Sequence, residues 1–342
     1  MENKNNRSSK YKTNKKQRNK HIVIAVIFVF LAVISSVIGG LYYQLSKMKS
    51  AELPKSDEDL GIGKDTQQRI DQEDPKNEIV NIALFGVDRR EKNEASRSDT
   101  MMIATIDKKH KKIKISSLMR DTYVSVPGHG KTKLTHAYAY GGAPLAIKTL
   151  NENFQLNIKD YMTVDFFSLE KVIDALGGVQ LQIKQEEIQH MNFYIREMSG
   201  LEKVTPKQIS KPGLLDLTGM QAVAYTRVRY TANGDFERTE RQRTVLTALF
   251  KKIQASGVSK YPSLVTTILP YIETSVDKLE LISMGTGVLA WGIKDLEQAR
   301  FPLDKDLKGQ TINGVSYLVA DLKSTADYIH KYIYEDINPT LK

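Results

Sequence analysis

Apolar and polar positions divide the chain into one uninterrupted apolar segment near the N-terminus and a longer patterned region. The segment "IVIAVIFVFLAVISSVIGGLYYQLS", residues 22–46, contains no charged side chain. At the rise of an α-helix, it is long enough to span the hydrocarbon of a bilayer with some tilt. We therefore predict one transmembrane helix over residues 21–46, between a basic tail at 1–20 and a polar stalk at 47–77.

Residues 78–342 predict a single layered α/β domain. Short apolar runs predict strands at 79–86, 101–106, 113–118, 161–164 and 179–183, and a further strand is expected after residue 224. Amphipathic periodicity predicts helices at 143–154, 169–176, 218–224, 236–253, 263–272, 278–291 and 324–332. Strands alternate with helices, and only the second and third strands form a hairpin. The pattern indicates a three-layer α/β/α domain with a mixed central sheet.

The charge of the chain is concentrated in its tail. The formal net charge is +10, but residues 1–20 contain eight Lys or Arg residues against a single Glu. Because basic residues stay on the cytoplasmic side, the tail predicts a single-pass type II protein of the cell membrane, with an extracellular domain. A cleaved signal peptide is the alternative, but the apolar run exceeds a usual h-region and no A-x-A site follows it.

Composition excludes several chemistries. The chain has no Cys, which excludes disulfides, thiolate nucleophiles and Cys-ligated zinc. GxSxG and HExxH are also absent, so the serine-hydrolase and zincin interpretations lose support. Nucleic-acid binding is not expected, because the basic tail lacks a helix–turn–helix pattern.

The segment "TRVRYTANGDFERTERQR", residues 226–243, concentrates five arginines. Arg227 and Arg229 are two residues apart, so on a strand they would point to one face. On the helix that follows, Arg238 and Gln242 share one stripe with the apolar residues Val245, Leu246, Leu249 and Ile253. The face that is core at one end of this helix therefore becomes cationic at the other.

Three further charged residues lie near the cationic start of this helix. Arg241 and Arg243 flank the stripe, and Asp235 stands where an N-cap is expected. Arginine suits such a place, because its planar fork binds phosphate oxygens bidentately and stays charged. A salt-bridged surface helix, with Glu237 and Glu240 as partners, is the alternative. The preceding pair of arginines favours a multivalent anion site.

Carboxylates mark the ends of two predicted strands. Asp88 ends the first strand and Asp99 begins the second, with Arg97 two residues earlier. Two carboxylates at adjacent strand ends could hold Mg²⁺, which completes its shell with water and phosphate. Each aspartate alone is more often a turn residue. Arg120 and Asp121 follow the third strand, either as a plain ion pair or as another edge of the same site.

Seven motifs, in this order, resemble the LytR-CpsA-Psr (LCP) family: "NIALFGVD", "SRSDTMMIATID", "SLMRDTYV", "KLTHAYAYGG", "VDFFSLEKVIDALGGVQL", "LTGMQAVAYTRVRY" and "GDFERTERQR". They cover about residues 80–255, and the plan of tail, span and stalk is similar too. The resemblance implies an extracytoplasmic phosphotransferase of Gram-positive envelopes. Such an enzyme moves a glycopolymer, such as wall teichoic acid, from undecaprenyl pyrophosphate to peptidoglycan. The product is a phosphodiester at the primary hydroxyl of N-acetylmuramic acid.

The resemblance also implies roles for matching residues. Asp88 and Asp99 would hold Mg²⁺ against the pyrophosphate. The residues expected to clamp the pyrophosphate are Arg97, Arg120, Arg227, Arg229, Arg238 and Gln242. Asp235 would orient arginines or assist the acceptor, and Asp121 and Asp235 are the acidic residues available as a base. The residues expected to contact substrate are Lys133, Arg241 and Tyr138, whereas the nearby His136 is expected to be structural.

Three other functions remain open at this level. Water in place of the acceptor would make the same site a polyprenyl-pyrophosphate hydrolase. A non-catalytic module could use the arginines only to hold wall-polymer phosphates. A regulatory membrane protein is the third, although its predicted topology opposes DNA contact. Residues 143–150 and 282–293 could line the family's polyprenyl tunnel or belong to ordinary core.

Overall fold

The computed structural model describes residues 49–50, 52–88, 96–229, 234–293 and 296–339. The predicted basic tail and transmembrane helix at 21–46 lie outside the described residues. Within those ranges, no helix combines the length and the apolar character needed to cross a membrane.

The strands and helices alternate along the described chain. The strands are β1 Lys49–Ser50, β2 Ile79–Val87, β3 Ser98–Asp107, β4 Lys112–Leu118, β5 Tyr123–Val126, β6 Gly130–Lys133, β7 Asp160–Asp165, β8 Val179–Ile183, β9 Gly213–Leu217, β10 Glu273–Thr274, β11 Glu297–Phe301, β12 Leu307–Ile312 and β13 Val315–Ala320. The α-helices are α1 Lys64–Glu73, α2 Leu134–Phe154, α3 Phe166–Ala175, α4 Gln185–Glu202, α5 Gly219–Arg227, α6 Asp235–Ser256, α7 Tyr261–Ile268, α8 Lys278–Ala290 and α9 Leu322–Tyr334. Short 3-10 turns lie at Val258–Lys260, Leu269–Tyr271 and Asp304–Asp306.

A seven-stranded sheet organises the domain, in the order β1-β10-β7-β2-β3-β4-β11. The pairs β2–β3, β3–β4 and β7–β10 are antiparallel, whereas β2–β7, β4–β11 and β1–β10 are parallel. This confirms the mixed sheet and the predicted β3–β4 hairpin. The end of β2, the start of β3 and the end of β4 lie side by side, so their terminal residues meet. We call this line of strand ends the edge of the sheet. The polar residues singled out in the sequence lie at this edge.

Both faces of the sheet are buried. On β2, Ala83 and Phe85 pack into one apolar cluster with Leu150 of α2 and Ile329 of α9. Ile82 directly precedes Ala83, so it points to the other face, and it is only 3% exposed. A second apolar cluster is formed by α3 to α6 together with β8 and β9. The layered α/β arrangement follows from this burial on two sides.

The segment predicted as a stalk belongs in part to the domain. Leu60, Ile62 and Ile70 are buried in the cluster that contains Phe85. Asp74 then accepts hydrogen bonds from the backbone N–H groups of residues 78 and 79, at 2.9 and 2.8 Å. The core of the domain therefore includes residues that precede the predicted boundary at residue 78. Residues 47–77 are mostly polar, but a few apolar residues among them are buried and attach this segment to the domain.

Two local predictions are corrected as well. Helix α4 was not predicted, although Ile188, Met191 and Ile195 recur at helical spacing and are buried. The strand predicted after residue 224 is not formed. Helix α5 continues to Arg227 instead, because its residues 222–225 are all buried. The helix ends at Val228, whose backbone is extended.

Candidate functional site

Asp99 is the centre of a group of arginines at the edge of the sheet. It lies near the start of β3, at an irregularity in the pairing with β2. The Arg120 guanidinium donates to its Oδ1, and Arg229 Nη2 donates to its Oδ2 at 3.0 Å. Arg238 Nη1 lies 3.4 Å from the same Oδ2. Three arginines from three separate segments thus meet at one carboxylate that is 10% exposed.

The charges in this group hold Asp99 ionised. Burial would raise the pKa of Asp99, but the positive charges of Arg238, Arg120 and Arg229 outweigh burial and lower it. Burial also lowers the pKa of Arg238, and its arginine neighbours add to the effect, while Asp235 and Asp99 oppose it. An additional anion at this place would relieve the repulsion among the arginines.

Asp235 is a second acidic residue inside the group. Its Oδ1 lies 2.7 Å from Arg238 Nη2 and 3.5 Å from Arg120 Nε. It is not the N-cap predicted from the sequence, because Gly234 takes that position with a φ of 52° and Asp235 is the first residue of α6. Its carboxylate therefore pairs with Arg238 and lies near Arg120, and its role in orienting arginines or assisting the acceptor stays a prediction.

Lys133 and Asp121 form the adjoining part of the site. Lys133 Nζ lies 2.9 Å from Asp121 Oδ1, and Asp121 Oδ2 is 3.9 Å from Arg120 Nε. Burial lowers the pKa of His136, and the charges of Arg97 and Lys133 lower it further. His136 thus borders the site although it was expected to be structural, and its position in the motif of Lys133 is the signal that points there.

Several polar atoms in the group lack a hydrogen bond within the described chain. These are Arg120 Nε, Arg238 Nε and Asp235 Oδ2, all of them buried. Four cations (Arg120, Lys133, Arg229 and Arg238) contact three carboxylates in the group. Unused buried donors and a surplus of positive charge are what an oxyanion-binding site requires.

Arg227 lies apart from this group in its described contacts. Its guanidinium packs over the rings of Tyr194 and Phe166, at 4.5 and 4.9 Å from their centroids. Glu197 Oε2 lies 3.3 Å from its Nη2. Arg227 and Arg229 do not share the face of a strand as expected, because Arg227 is the last residue of a helix and Arg229 lies beyond its end.

Two expected substrate-binding residues also have structural partners. Arg241 is 5% exposed and contacts Glu187 at 2.8 Å and Glu237 at 2.9 Å. Sequence reasoning missed Glu187, which joins α4 to α6. Tyr138 is 5% exposed, and its ring packs 5.2 Å from that of Phe85. Neither Arg241 nor Tyr138 is therefore placed in the arginine group.

Gln242 lies half-buried on α6, one turn after Arg238. Its predicted contact with pyrophosphate stays a prediction. Arg97 is exposed, and its charge acts on His136 beside the group.

The predicted metal ligands lie on neighbouring strands. Asp88 follows β2 directly, and its backbone N–H donates to the carbonyl of Arg97, which precedes β3, at 3.5 Å. Ionised carboxylates at adjoining strand ends suit a hard cation such as Mg²⁺. Both oxygens of Asp99 contact arginines here, so Mg²⁺ binding by Asp88 and Asp99 stays a prediction.

A second acidic group, Asp107, His110 and Asp336, is close enough to hold a metal ion. Lys114 already neutralises it, because its Nζ lies 2.7 Å from Asp107 and 3.1 Å from Asp336. Lys114 is itself fully buried. This group is an internal ion-pair network that ties β4 to the end of the chain.

A mixed α/β domain with arginines gathered around carboxylates at its sheet edge is the class of protein suited to phosphate-type anions. Known proteins agree with this class. The family model for LytR_cpsA_psr matches residues 42–332. The polyisoprenyl-teichoic acid–peptidoglycan teichoic acid transferase TagT of Bacillus subtilis (strain 168) is 31% identical over 268 residues, which cover 77% of this chain and 79% of TagT.

Solved structures give the same result. A structure titled TagT bound to LI-WTA has a TM-score of 0.61 and 27% identity, and the match covers 77% of this chain and 92% of that one. A structure of TagT with bound octaprenyl pyrophosphate lipid has a TM-score of 0.57 and 25% identity, with the same coverage. The chain belongs to the LytR-CpsA-Psr family, and it is an enzyme of the transferase class.

Proposed function

We propose that this chain transfers an anionic glycopolymer from an undecaprenyl-pyrophosphate carrier to the primary hydroxyl of N-acetylmuramic acid in peptidoglycan. The observation that carries the proposal is the convergence of Arg120, Arg229 and Arg238 on Asp99. The name of the related TagT supports the polymer and the acceptor. The TagT structure with octaprenyl pyrophosphate supports the diphosphate lipid.

In the free enzyme, carboxylates occupy the place of the substrate. Asp99 and Asp235 neutralise guanidinium groups that would otherwise repel one another. Oxygens of an incoming diphosphate replace these carboxylates as partners. The Nε atoms of Arg120 and Arg238, which make no hydrogen bond in the described chain, supply further donors. The arginines are thereby already positioned before the substrate arrives, and pre-positioned donors are the main source of catalysis in phosphoryl transfer.

The reaction follows from this arrangement. The acceptor hydroxyl oxygen attacks the phosphorus next to the sugar, and the bond from that phosphorus to the bridging oxygen breaks. The leaving group is the lipid monophosphate. Arg120, Arg229 and Arg238 bind the oxygens on which negative charge accumulates. The hydroxyl proton passes to a carboxylate, for which Asp121 and Asp235 are the acidic residues at the site.

Asp88 and Asp99 would hold Mg²⁺, which would neutralise part of the charge on the diphosphate when bound. The predicted span at 21–46 would keep the domain beside the membrane that contains the lipid donor, and the domain would lie on its extracellular side.

Transfer is tested with the full-length chain in detergent micelles. The reaction contains a polyprenyl-pyrophosphate-linked disaccharide, Mg²⁺ and peptidoglycan oligomers, and mass spectrometry follows the phosphosugar. We expect transfer in the wild type and in Arg196→Gln, which removes an exposed arginine of α4. Asp99→Ala and Arg229→Gln are expected to lose it.

Two other results would favour the alternatives. Release of free sugar phosphate with no transfer, in the presence of a competent acceptor, would identify a hydrolase. Tight binding without turnover in the wild type would indicate a wall-polymer-binding protein.

A further inference from the structure

A separate cavity of about 440 Å³ opens between α6 and the edge strand β11. Its lining is mostly polar, with Ala299 and Leu303 as the apolar members. The polar side chains are Glu240, Arg243 and Thr244 from α6 and Gln298 and Arg300 from the strand. Asp304 completes the rim. A cavity of this size accommodates one or two sugar rings.

Two arginines of this cavity have inner nitrogens without a hydrogen-bond partner in the described chain. These are Arg243 Nη1 and Arg300 Nη1, both buried. Arg300 packs over the ring of Phe236 at 4.5 Å and uses its Nη2 for Asp304. A buried donor without a partner is costly, and two such donors in one cavity indicate a ligand that accepts hydrogen bonds.

The charges of the cavity are separated into an inner and an outer part. Asp304 is 75% exposed and Glu240 is exposed, so both carboxylates face solvent. Burial lowers the pKa of Arg243, and the positive charge of the nearby Arg300 lowers it further. The inner part is therefore positive, and the rim offers acceptors for hydroxyl groups.

The cavity lies at the same ends of the strands as the arginine group around Asp99. Strand β4 separates β3, which carries Asp99, from β11, which carries Arg300. At the usual spacing of strands, the two places are about 10 Å apart across the sheet. A ligand with two or more sugar units can therefore reach from one to the other.

We propose that this cavity is a subsite for an anionic sugar unit, whose carboxylate or phosphate binds the inner nitrogens of Arg243 and Arg300. The hydroxyl groups of the sugar bind Glu240 and Gln298. This inference rests on the proposed function, in which both the acceptor glycan and the transferred polymer contain anionic sugars. Its ligand chemistry is the same in either case.

Direct binding to the full-length chain in detergent micelles tests this subsite without any turnover. One pair of probes is N-acetylglucosaminyl-N-acetylmuramic acid and chitobiose, which differ by the lactyl carboxylate. The other pair is N-acetylglucosamine 1-phosphate and N-acetylglucosamine. Saturation-transfer NMR titrations give the affinities. We expect the charged member of at least one pair to bind about tenfold or more tightly than its neutral partner.

The variants Arg243→Gln and Arg300→Gln are each expected to weaken the charged probe about tenfold or more and to leave the neutral probe unchanged. Arg196→Gln, on an exposed face of α4, is the matched control and is expected to bind normally. Thermal melting of each variant verifies that it is folded. Preference for the carboxylate probe would assign the subsite to the acceptor glycan, and preference for the phosphate probe would assign it to the polymer.

Equal affinity for charged and neutral probes, or unchanged affinity in both folded variants, would refute the subsite. Its failure is distinguishable from failure of the proposed transfer. Arg229→Gln is expected to lose transfer and keep probe binding. Probe binding in a wild type that transfers nothing would refute the transfer reaction alone, whereas transfer without specific probe binding would refute only the subsite.

Discussion

Replacement of Asp99 by Asn is the sharpest test of the arginine group, because it removes one charge and almost no volume. Asp99 faces Arg238, Arg120 and Arg229, whose side chains are 3%, 18% and 42% exposed. In Asp99→Asn, the buried guanidinium groups lose a shared counter-charge and repel one another. We expect lower stability and a greater demand for an external anion.

The magnitude follows from burial and from the partners that remain. Breaking a buried ion pair costs about 3–5 kcal/mol. Asp235 still contacts Arg238 and Arg120, and solvent screens the more exposed Arg229. We therefore expect a loss of about 3 kcal/mol at pH 7, or a fall in Tm of roughly 6 °C for a domain of this size.

The pH of the measurement follows from the lowered pKa of Asp99. A carboxyl whose folded pKa is below its unfolded value contributes stability above the unfolded value, about 3.9. That contribution is lost as the pH falls through the folded pKa. The full effect of Asp99→Asn is therefore present at pH 7, and it should shrink below about pH 4.

The assay is thermal melting of the full-length chain with EDTA, with and without inorganic pyrophosphate. An anion at 100 times its Kd adds about 2.7 kcal/mol to the folded state. We expect pyrophosphate to raise the Tm of Asp99→Asn more than that of the wild type, because the anion replaces the lost charge. Asp216→Asn, an exposed aspartate of β9, is the control. An equal or smaller rise in Asp99→Asn would contradict the exchange of carboxylate for phosphate.

Three further predictions concern single side chains. Arg241→Gln breaks its buried pair with Glu187 and should cost about 3–5 kcal/mol in urea unfolding, with transfer per folded molecule unchanged; lost transfer would restore the substrate role expected from the sequence. Burial would raise the pKa of Glu73, but hydrogen bonds from His330 and Arg69 outweigh burial and lower it. Glu73→Gln should therefore reduce the stability by roughly 1–2 kcal/mol at pH 7 and leave it unchanged below about pH 4. A loss of stability that does not depend on pH would contradict this. Arg229→Gln should lower the transfer rate about 10²–10³-fold, and Arg229→Lys, which keeps the charge and loses the fork, should recover only part of it.

The strands of the sheet were predictable because they are continuous apolar runs. The run at 79–86 matches β2 within one residue, and the run at 179–183 matches β8. Helix α4 has the right periodicity and was still not predicted. Its face also contains Glu187, which is buried because Arg241 neutralises it. A buried ion pair looks in the sequence like a solvated surface.

The members of the site were more predictable than their arrangement. The order of motifs identified Asp99, Arg120, Arg229 and Arg238, which the structure brings together. Sequence could not separate these from Arg241, because Glu187, its buried partner on α4, lies 54 residues earlier in the chain. Which arginines remain available for a ligand depends on which acidic residues the fold places beside them.

The cluster that joins α1 and α9 affects how the domain reaches its folded state. Glu73 Oε2 lies 2.6 Å from His330 Nδ1, across 257 residues of chain, and Tyr332 and Ile333 are fully buried beside the same cluster. Contacts between the earliest and latest parts of a chain are slow to form, because a long loop must close first. The nascent domain therefore cannot complete its main core until α9 has been synthesised. A premature stop before α9 would leave an aggregation-prone intermediate rather than a shortened enzyme.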